Sequence, residues 1–458
     1  MLALCCFTAL ALTPAAPKSS SDLFSATDTL QLKLRAPFNS LFASADGESD
    51  TGATVKGTLT YTQGGTSVVI DDVAVGLRGH TSLRESECTF PKLKVRLPDT
   101  RAVEQTPFAG HTALKIGTHC GETADDTVTS KYGRLANEHA PHREAFVYHL
   151  LQALEVPTLK ARAARITYIY SDARPSARPS QQQPIVRDAF IVEDGGEAVK
   201  RLGGVKEYDE RTFTNARERF SAIDTATIAF GEAAIGNFDW CLKMTPQDRY
   251  RCDARHPLWN VMAIVGADGK TRPLIYDFDV SGMVAGHHRW FKDVYADTFE
   301  SARSHVAVEV MGQLQRARSL FTRQDLDAVR ARFTRHKADA DRVLASADVD
   351  PAGKRRIKEY LDAFFETIGS DTAFYRPAIV APTTAYADAA RTKPVCESRS
   401  RIPIGTVVSD PLEPGTRMVR VQVLDTLWNW TPPHQCDAIH HDPVWIDAKS
   451  VDRNFPLR

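Results

Sequence analysis

From Leu30 to about Leu97 apolar and polar residues alternate, as in Leu30-Gln-Leu-Lys-Leu-Arg, Val55-Lys-Gly-Thr-Leu-Thr-Tyr-Thr, Ser67-Val-Val-Ile, Val73-Ala-Val-Gly-Leu-Arg and Leu93-Lys-Val-Arg-Leu. A period of two puts successive side chains on opposite faces, so this region predicts antiparallel β-strands punctuated at Gly64-Gly65 and Asp71-Asp72. A strand Ala113–Ile116 follows a loop. Between Glu138 and Leu154 the interval becomes helical, through Ala145, Phe146, Tyr148, Leu150, Leu151 and Leu154, and Pro157 stops it. Strands are expected at Arg162–Tyr170 and Val186–Val192, separated by a Ser/Pro/Gln loop over 171–184. An apolar helix, Ala222–Ile235, precedes a hairpin whose legs, Val261–Val265 and Pro273–Asp279, turn at Asp268-Gly269.

Helices dominate from about 298 to 368, including Asp325–Ala345 and Ala352–Ile368. The Pro/Ala/Thr-rich stretch 377–394 reads as a linker. Alternation then returns at Ile404–Val408, Arg417–Leu424 and Pro443–Asp447, so 395–458 has the size of a small β-barrel. No internal repeat is present.

Composition narrows the function. The 458 residues carry 57 Lys+Arg and 57 Asp+Glu, a formal net charge of +0, with 43% hydrophobic and 25% charged residues. A balanced charge without a basic stripe argues against nucleic acid as a partner, and the apolar content suits buried cores. Beyond the N-terminus no apolar run of 18 residues occurs, which excludes a multi-span membrane protein. Residues 1–20 read as an export signal, and Leu2-Ala-Leu-Cys5 leaves a lipid anchor open. Export would place the chain in a periplasmic, secreted or cell-surface setting. Six cysteines then remain, and chain order suggests Cys88–Cys120, Cys241–Cys252 and Cys396–Cys436, with other pairings and free thiols as alternatives. No Cys-x-x-Cys accompanies them, which argues against zinc, and His287-His288 and His440-His441 read as surface pairs.

Four polar patches carry candidate chemistry. Gly76-Leu-Arg-Gly-His-Thr-Ser offers backbone amides and hydroxyls, around Arg78, Gly79 and Ser82, to phosphate oxygens; a ligand-free hairpin loop is the plain alternative. Lys92, Lys94 and Arg96 share one strand face from which a lysine reaches a nucleotide, with Lys115 as a rival; a solvated face explains the same pattern. Asn237 and Asp239 follow a buried helix and suit a hydroxyl nucleophile, or a simple turn. Asp277 and Asp279 are two apart, and on a continuing strand they would point the same way, where Mg²⁺ would relieve their repulsion.

In order, a glycine loop, a strand lysine, a helix acid, a loop Asp, a later Asn and a strand-end Asp form the parts list of kinase-type phosphoryl transfer. The standard protein-kinase motifs His-Arg-Asp, Asp-Phe-Gly and Ala-Pro-Glu are absent. The arrangement resembles the CotH family of atypical, spore-coat-type secreted protein kinases over about residues 70–370. The matching stretches are Leu77-Arg-Gly-His-Thr-Ser with Phe90-Pro-Lys-Leu-Lys, His142–Leu151, Ala189–Asp194, Ile235–Trp240 and Pro273–Gly282.

The resemblance implies an α+β fold with a kinase-like two-lobed core, a β-rich N-lobe over about 25–200 and a helical C-lobe over about 205–376, followed by the SH3-like barrel. It implies Asp239 as the catalytic aspartate. Asn260, Asp277 and Asp279 would be metal ligands, and Lys94 the nucleotide lysine partnered by Glu144 or, less well, Glu138. Glu193 matches an acid after the central strand. Mg²⁺ and ATP, or another nucleotide, are the implied cofactors, and a protein hydroxyl is the implied acceptor. One departure is that Asp239 and Asn260 are 21 positions apart, across an insert that a Cys241–Cys252 bridge would fold out. Two other classes stay open: an inactive surface or cell-wall assembly protein using Trp428, Trp430 and Trp445, and a Mg²⁺ phosphohydrolase using the paired acids.

Overall fold

The computed structural model describes residues 23–45, 52–63, 65–172, 184–244, 252, 257–286, 305–375, 378–379, 383–398, 402–407, 417–423 and 444–452. Residues 1–20, read as an export signal, and His287-His288, Trp428, Trp430, Cys436 and His440-His441 lie outside the described residues.

The alternating N-terminal region forms β1 (Leu30–Ala36), β2 (Thr54–Gln63), β3 (Thr66–Leu77), β4 (Leu93–Arg96), β5 (Ala113–Thr118), β6 (Ala161–Tyr170) and β7 (Ile185–Val192). They close a barrel in the order β1-β2-β3-β4-β5-β7-β6. Every second residue of β1, from Leu30 to Ala36, is buried, and these meet Leu59, Val75, Val95, Leu114, Ile166 and Tyr168 inside the barrel. The expected all-antiparallel pairing fails at one seam, where β1 runs parallel to β6 in the register Leu32↔Ile166. Period-two patterning sets which face is buried and carries no information on strand direction, so the closing seam was not readable. Asp71-Asp72 is likewise no strand break: β3 passes through it with a bulge opposite Gly57–Leu59, and Asp72 takes φ +56°.

A second apolar core gathers the helices Ala140–Ala153, Ala222–Ala234, His305–Leu320, Arg323–Arg335 and Pro351–Ile368 with the hairpin Val261–Gly266/Thr271–Ile275. Phe230 packs on Phe333 and Phe374, with ring centroids 5.7 and 5.6 Å away. The helix expected over Asp325–Ala345 breaks at His336 into Arg323–Arg335 and Lys337–Ser346. No Pro or Gly marks that break in the sequence. It lets Phe333 face Phe230 while Val343 and Leu344 pack elsewhere on the same core.

The stretch read as a linker supplies strands at Ala378–Ile379 and Thr383–Tyr386. With Pro394–Ser398, Ile402–Val407, Met418–Val423, Val444–Asp447 and Val451–Asp452 they form one seven-stranded sheet, which is not a closed barrel among the described residues. The short alternation of Thr383-Thr-Ala-Tyr, buried at Thr383 and Ala385, was hidden by its Pro/Ala/Thr-rich surroundings. Cys88–Cys120 and Cys241–Cys252 are bonded, with Cα–Cα separations of 4.5 and 5.7 Å. Two disulfides are compatible with an extracellular protein. Among the described residues no helix is long and apolar enough to cross a membrane.

Candidate functional site

Segments far apart in sequence meet where the β3–β4 end of the barrel faces the loops of the helical core. The loop leaving β3 starts with Arg78, whose amide donates to the Lys92 carbonyl at 2.9 Å and whose Nε donates to the Ile116 carbonyl at 3.3 Å. Gly79 follows at φ +112°, where a Cβ would lie 2.4 Å from the Oγ of buried Ser82, so glycine is required there.

The hairpin explains how Asn260 and the two acids come together. Because the chain turns at Asp268-Gly269 and Val261 pairs with Ile275, residues 260 and 276–279 emerge at the same open end of the ladder. The Tyr276 amide donates to the Asn260 carbonyl at 3.1 Å. Asn260 and Asp277 both take left-handed backbone, φ +54° and +66°, a conformation that costs a non-glycine residue about 1–2 kcal/mol and that collects at functional sites. Helix Ala140–Ala153 holds the turn in place. Glu144 and Tyr148, four residues apart and so on one helix face, accept from the Phe278 amide (3.4 Å) and the Asp277 amide (3.0 Å). The strand therefore ends at Ile275, contrary to the expectation that it continues. The two carboxylates converge through this turn and not through pleat periodicity.

Asp239 sits in the loop after helix Ala222–Ala234. Its amide donates to Asn237 Oδ1 at 2.9 Å, and Asn237 Nδ2 donates to Glu232 at 2.9 Å beneath the loop. Gly236, at φ +63°, and Gly282 lie against Tyr360, where a Cβ would come within 2.2 and 2.0 Å of its ring and hydroxyl. The Gly282 amide donates to the Gly236 carbonyl at 3.0 Å, so the loop of Asp239 and the segment after Asp279 are joined. The 21-residue separation of Asp239 and Asn260 is closed as well. Cys241–Leu242 pairs antiparallel with Leu258–Trp259, the Cys241–Cys252 bond staples the insert, and Asn260 Nδ2 donates to the Asp239 carbonyl and Oδ2 at 2.5 and 3.2 Å.

Lys92 from the barrel joins the acids. Its ammonium lies 2.9 Å from Asp277 and 3.1 Å from Asp279, and Arg134 Nε lies 2.9 Å from Asp279. Burial disfavours the Lys92 charge, but Asp277, Asp279 and Glu144 outweigh it and raise its pKa. For Asp279, burial opposes ionisation, yet Lys92 and Arg134 hold the carboxyl well below the usual range. Glu144 behaves the other way: burial first, then the fields of Asp279 and Asp277, push it up to about 7 against the pull of Lys92. Burial lowers the Arg78 pKa despite the nearby acids. Arg134 is raised, since Asp279, then Asp277 and Asp239, overcome its burial.

The carboxylates of Asp277 and Asp279 suit a hard divalent cation, Asn260 emerges at the same end of the ladder, and Lys92 already stands as a cation between the carboxylates. Among the described residues no three His, Cys, Asp or Glu side chains group as a metal site.

Lys94 is not the lysine at this site. It lies one pleat further on, opposite Lys115 in the β4–β5 ladder, and both serve Asp194, which Lys115 contacts at 2.9 Å. A two-residue step along a strand is nearly 7 Å, enough to decide between two lysines on one face. Glu138 is half exposed beside Arg187, at 3.5 Å, which leaves Glu144 as the helix acid. Glu193 is taken by Arg201 at 2.7 Å and by the Lys160 amide at 3.0 Å, a role in holding the segment after β7. Cys396 lies in the C-terminal sheet, and its expected partner Cys436 lies outside the described residues.

Arg134 was missed by the sequence reading. It sits in the aperiodic segment 119–137, and no spacing distinguishes it from a solvated arginine.

No protein-family model matches this chain, and no curated protein matches it. Among solved structures, one titled a crystal structure of the Golgi casein kinase is similar with a TM-score of 0.30 and 11% sequence identity, covering 62% of this chain and 70% of that one. An overlap that slight carries no argument about fold or activity, and the site stands on its own geometry.

Proposed function

We propose that this chain is a CotH-like atypical kinase that transfers a phosphoryl group from a Mg²⁺-bound nucleoside triphosphate, ATP or another, to a protein hydroxyl. The observation that carries this reading is Lys92 reaching from the barrel to bridge Asp277 and Asp279, in an electrostatic cluster that also includes Asp239 with its Asn260 partner. The barrel and the helical body then act as two lobes around one cleft. Asp277, Asp279 and Asn260 would hold Mg²⁺, which when bound would neutralise charge on the phosphates. Lys92 and Arg78 face the phosphates as cations, and the Gly79–Ser82 turn offers backbone amides. Asp239 orients the acceptor hydroxyl and takes its proton. Glu144 and Tyr148 act through the 277–278 backbone and keep the metal turn in place.

The disulfides and the N-terminal segment support export. Compartments outside the cytoplasm generally lack ATP, so the reaction would precede or accompany export, or use another donor. The test has two stages. Mg²⁺ with ATP should raise the melting temperature of the chain, by an amount equivalent to about 2.7 kcal/mol at a hundredfold excess over Kd, and Asp277→Asn should remove the shift. Labelled phosphate should then enter a Ser/Thr protein substrate and be lost in Asp239→Asn. No shift at millimolar nucleotide refutes the kinase reading.

A second reading is a scaffold without turnover, in which the C-terminal sheet contacts cell-wall polymer or a partner. It is favoured by one observation: Lys92 and Arg134 already compensate both carboxylates with no ion required.

A further inference from the structure

We infer that Arg134 guards the cation position: its guanidinium holds Asp279 in the metal-free protein and swings from that carboxylate to the phosphate chain when a divalent cation binds. The inference rests on the proposed function, since it takes Asp277 and Asp279 as cation ligands.

Arg134 and Lys92 donate to the same atom, Asp279 Oδ2, at 2.9 and 3.1 Å. A Mg²⁺ ligand oxygen sits about 2.1 Å from the metal, so that oxygen cannot keep two further cations as neighbours. Lys92 has a second anchor in Asp277, whereas Asp279 is the only carboxylate within hydrogen-bond distance of Arg134 among the described residues. Arg134 is also equipped to hold something else. Nη2 donates to Thr81 Oγ1 at 2.8 Å, which ties it to the glycine loop. Nη1 is buried, has no hydrogen-bond partner and stands 3.7 Å from Glu87, whose Oε1 is buried and unpartnered too. Arg134 is 9% exposed, so this spare donor is already desolvated and planar, the form that suits a phosphate oxygen.

The segment that presents it is anchored on both cores. Cys120, just after β5, is bonded to Cys88 in the connection between β3 and β4, and Asp126 pairs with Arg143 at 2.9 Å and Arg356 at 2.6 Å in the helical core. Near the tip, the Arg134 amide donates to Thr129 Oγ1 at 3.0 Å and Val128 bridges Leu135. A defined turn therefore delivers Arg134 to Asp279.

The test is a pair of titrations on the full chain, followed by melting temperature. With MgCl₂ alone, Arg134→Gln should bind with a midpoint about tenfold lower or more, because the competing cation is gone. With Mg²⁺ and ATP together, Arg134→Gln should bind nucleotide more weakly than the wild type. This opposite sign is what a merely structural role would not produce; weakening of both overturns the inference, as do equal midpoints. In the wild-type chain, which needs no variant to fold, Mg²⁺ should speed hydrogen exchange at residues 129–135, and unchanged exchange counts against it. If no variant binds Mg²⁺, or Asp277→Asn binds it as well as the wild type, the kinase reading falls and takes this inference with it. If the wild type binds through Asp277 and Arg134→Gln changes nothing, only the guard is lost.

Discussion

Glu144→Gln offers a direct test of the electrostatics around the metal turn. Glu144 is 5% exposed, accepts from the Phe278 amide, and is pushed from its ordinary value of 4.5 up to about 7, first by burial and then by Asp279 and Asp277 against Lys92. A carboxyl whose folded pKa is raised contributes stability that is complete below about pH 4.5 and is lost as pH rises through about 7. At about 1.4 kcal/mol per unit, the loss amounts to about 3 kcal/mol. Glutamine keeps the oxygen that accepts from Phe278 and has nothing to titrate. Urea denaturation of both proteins in metal-free buffer at pH 5 and pH 8 should therefore show Glu144→Gln gaining on the wild type by up to about 3 kcal/mol across the interval. Titrating groups away from this cluster are common to both chains and cancel in the difference. A gap that stays constant within about 0.5 kcal/mol would refute the claim that this acid is buried against its charge.

Other substitutions probe the remaining parts. Lys92→Met should cost about 2 kcal/mol in chemical denaturation, less than the usual loss for a broken buried pair because Arg134 still holds Asp279, while Lys94→Met should cost under about 1 kcal/mol and leave nucleotide binding intact. Gly236→Ala combines φ +63° with a Cβ 2.2 Å from Tyr360, so calorimetry should show a loss above about 2 kcal/mol; Gly133→Ala, at φ +72° with open space around it, should cost only about 1. The double variant Cys241→Ser/Cys252→Ser should lose about 3 kcal/mol by loop entropy and should also weaken Mg²⁺–nucleotide binding, because the staple holds Asp239 against Asn260. Unchanged binding in that variant, with a normal melt, would mean the insert does not position the pair.

Much of the element plan was readable because it depends on local burial. The alternation of Leu30–Ala36 and the helical interval of Ala145–Leu154 each fix one buried face, and the structure has a strand and a helix there. The same holds for the hairpin itself: an Asp-Gly turn between two apolar runs brings its two ends together, which is why Asn260 and Tyr276 meet. The break at His336, the strands inside 378–386 and the parallel β1–β6 seam were not readable, since each answers to packing partners that lie far away in the chain.

What the amino-acid order determined by itself, then, was which faces are apolar and which residue types could carry phosphoryl chemistry. Only the folded chain decided that Lys92 and not Lys94 meets the acids, and that Arg134 from an aperiodic loop shares Asp279 with it. The physical reason is one of range. Hydrophobic periodicity acts over a few residues, whereas a charge finds its partner across distances in sequence of 145 to 187 positions, through the docking of whole elements whose registers no single segment encodes.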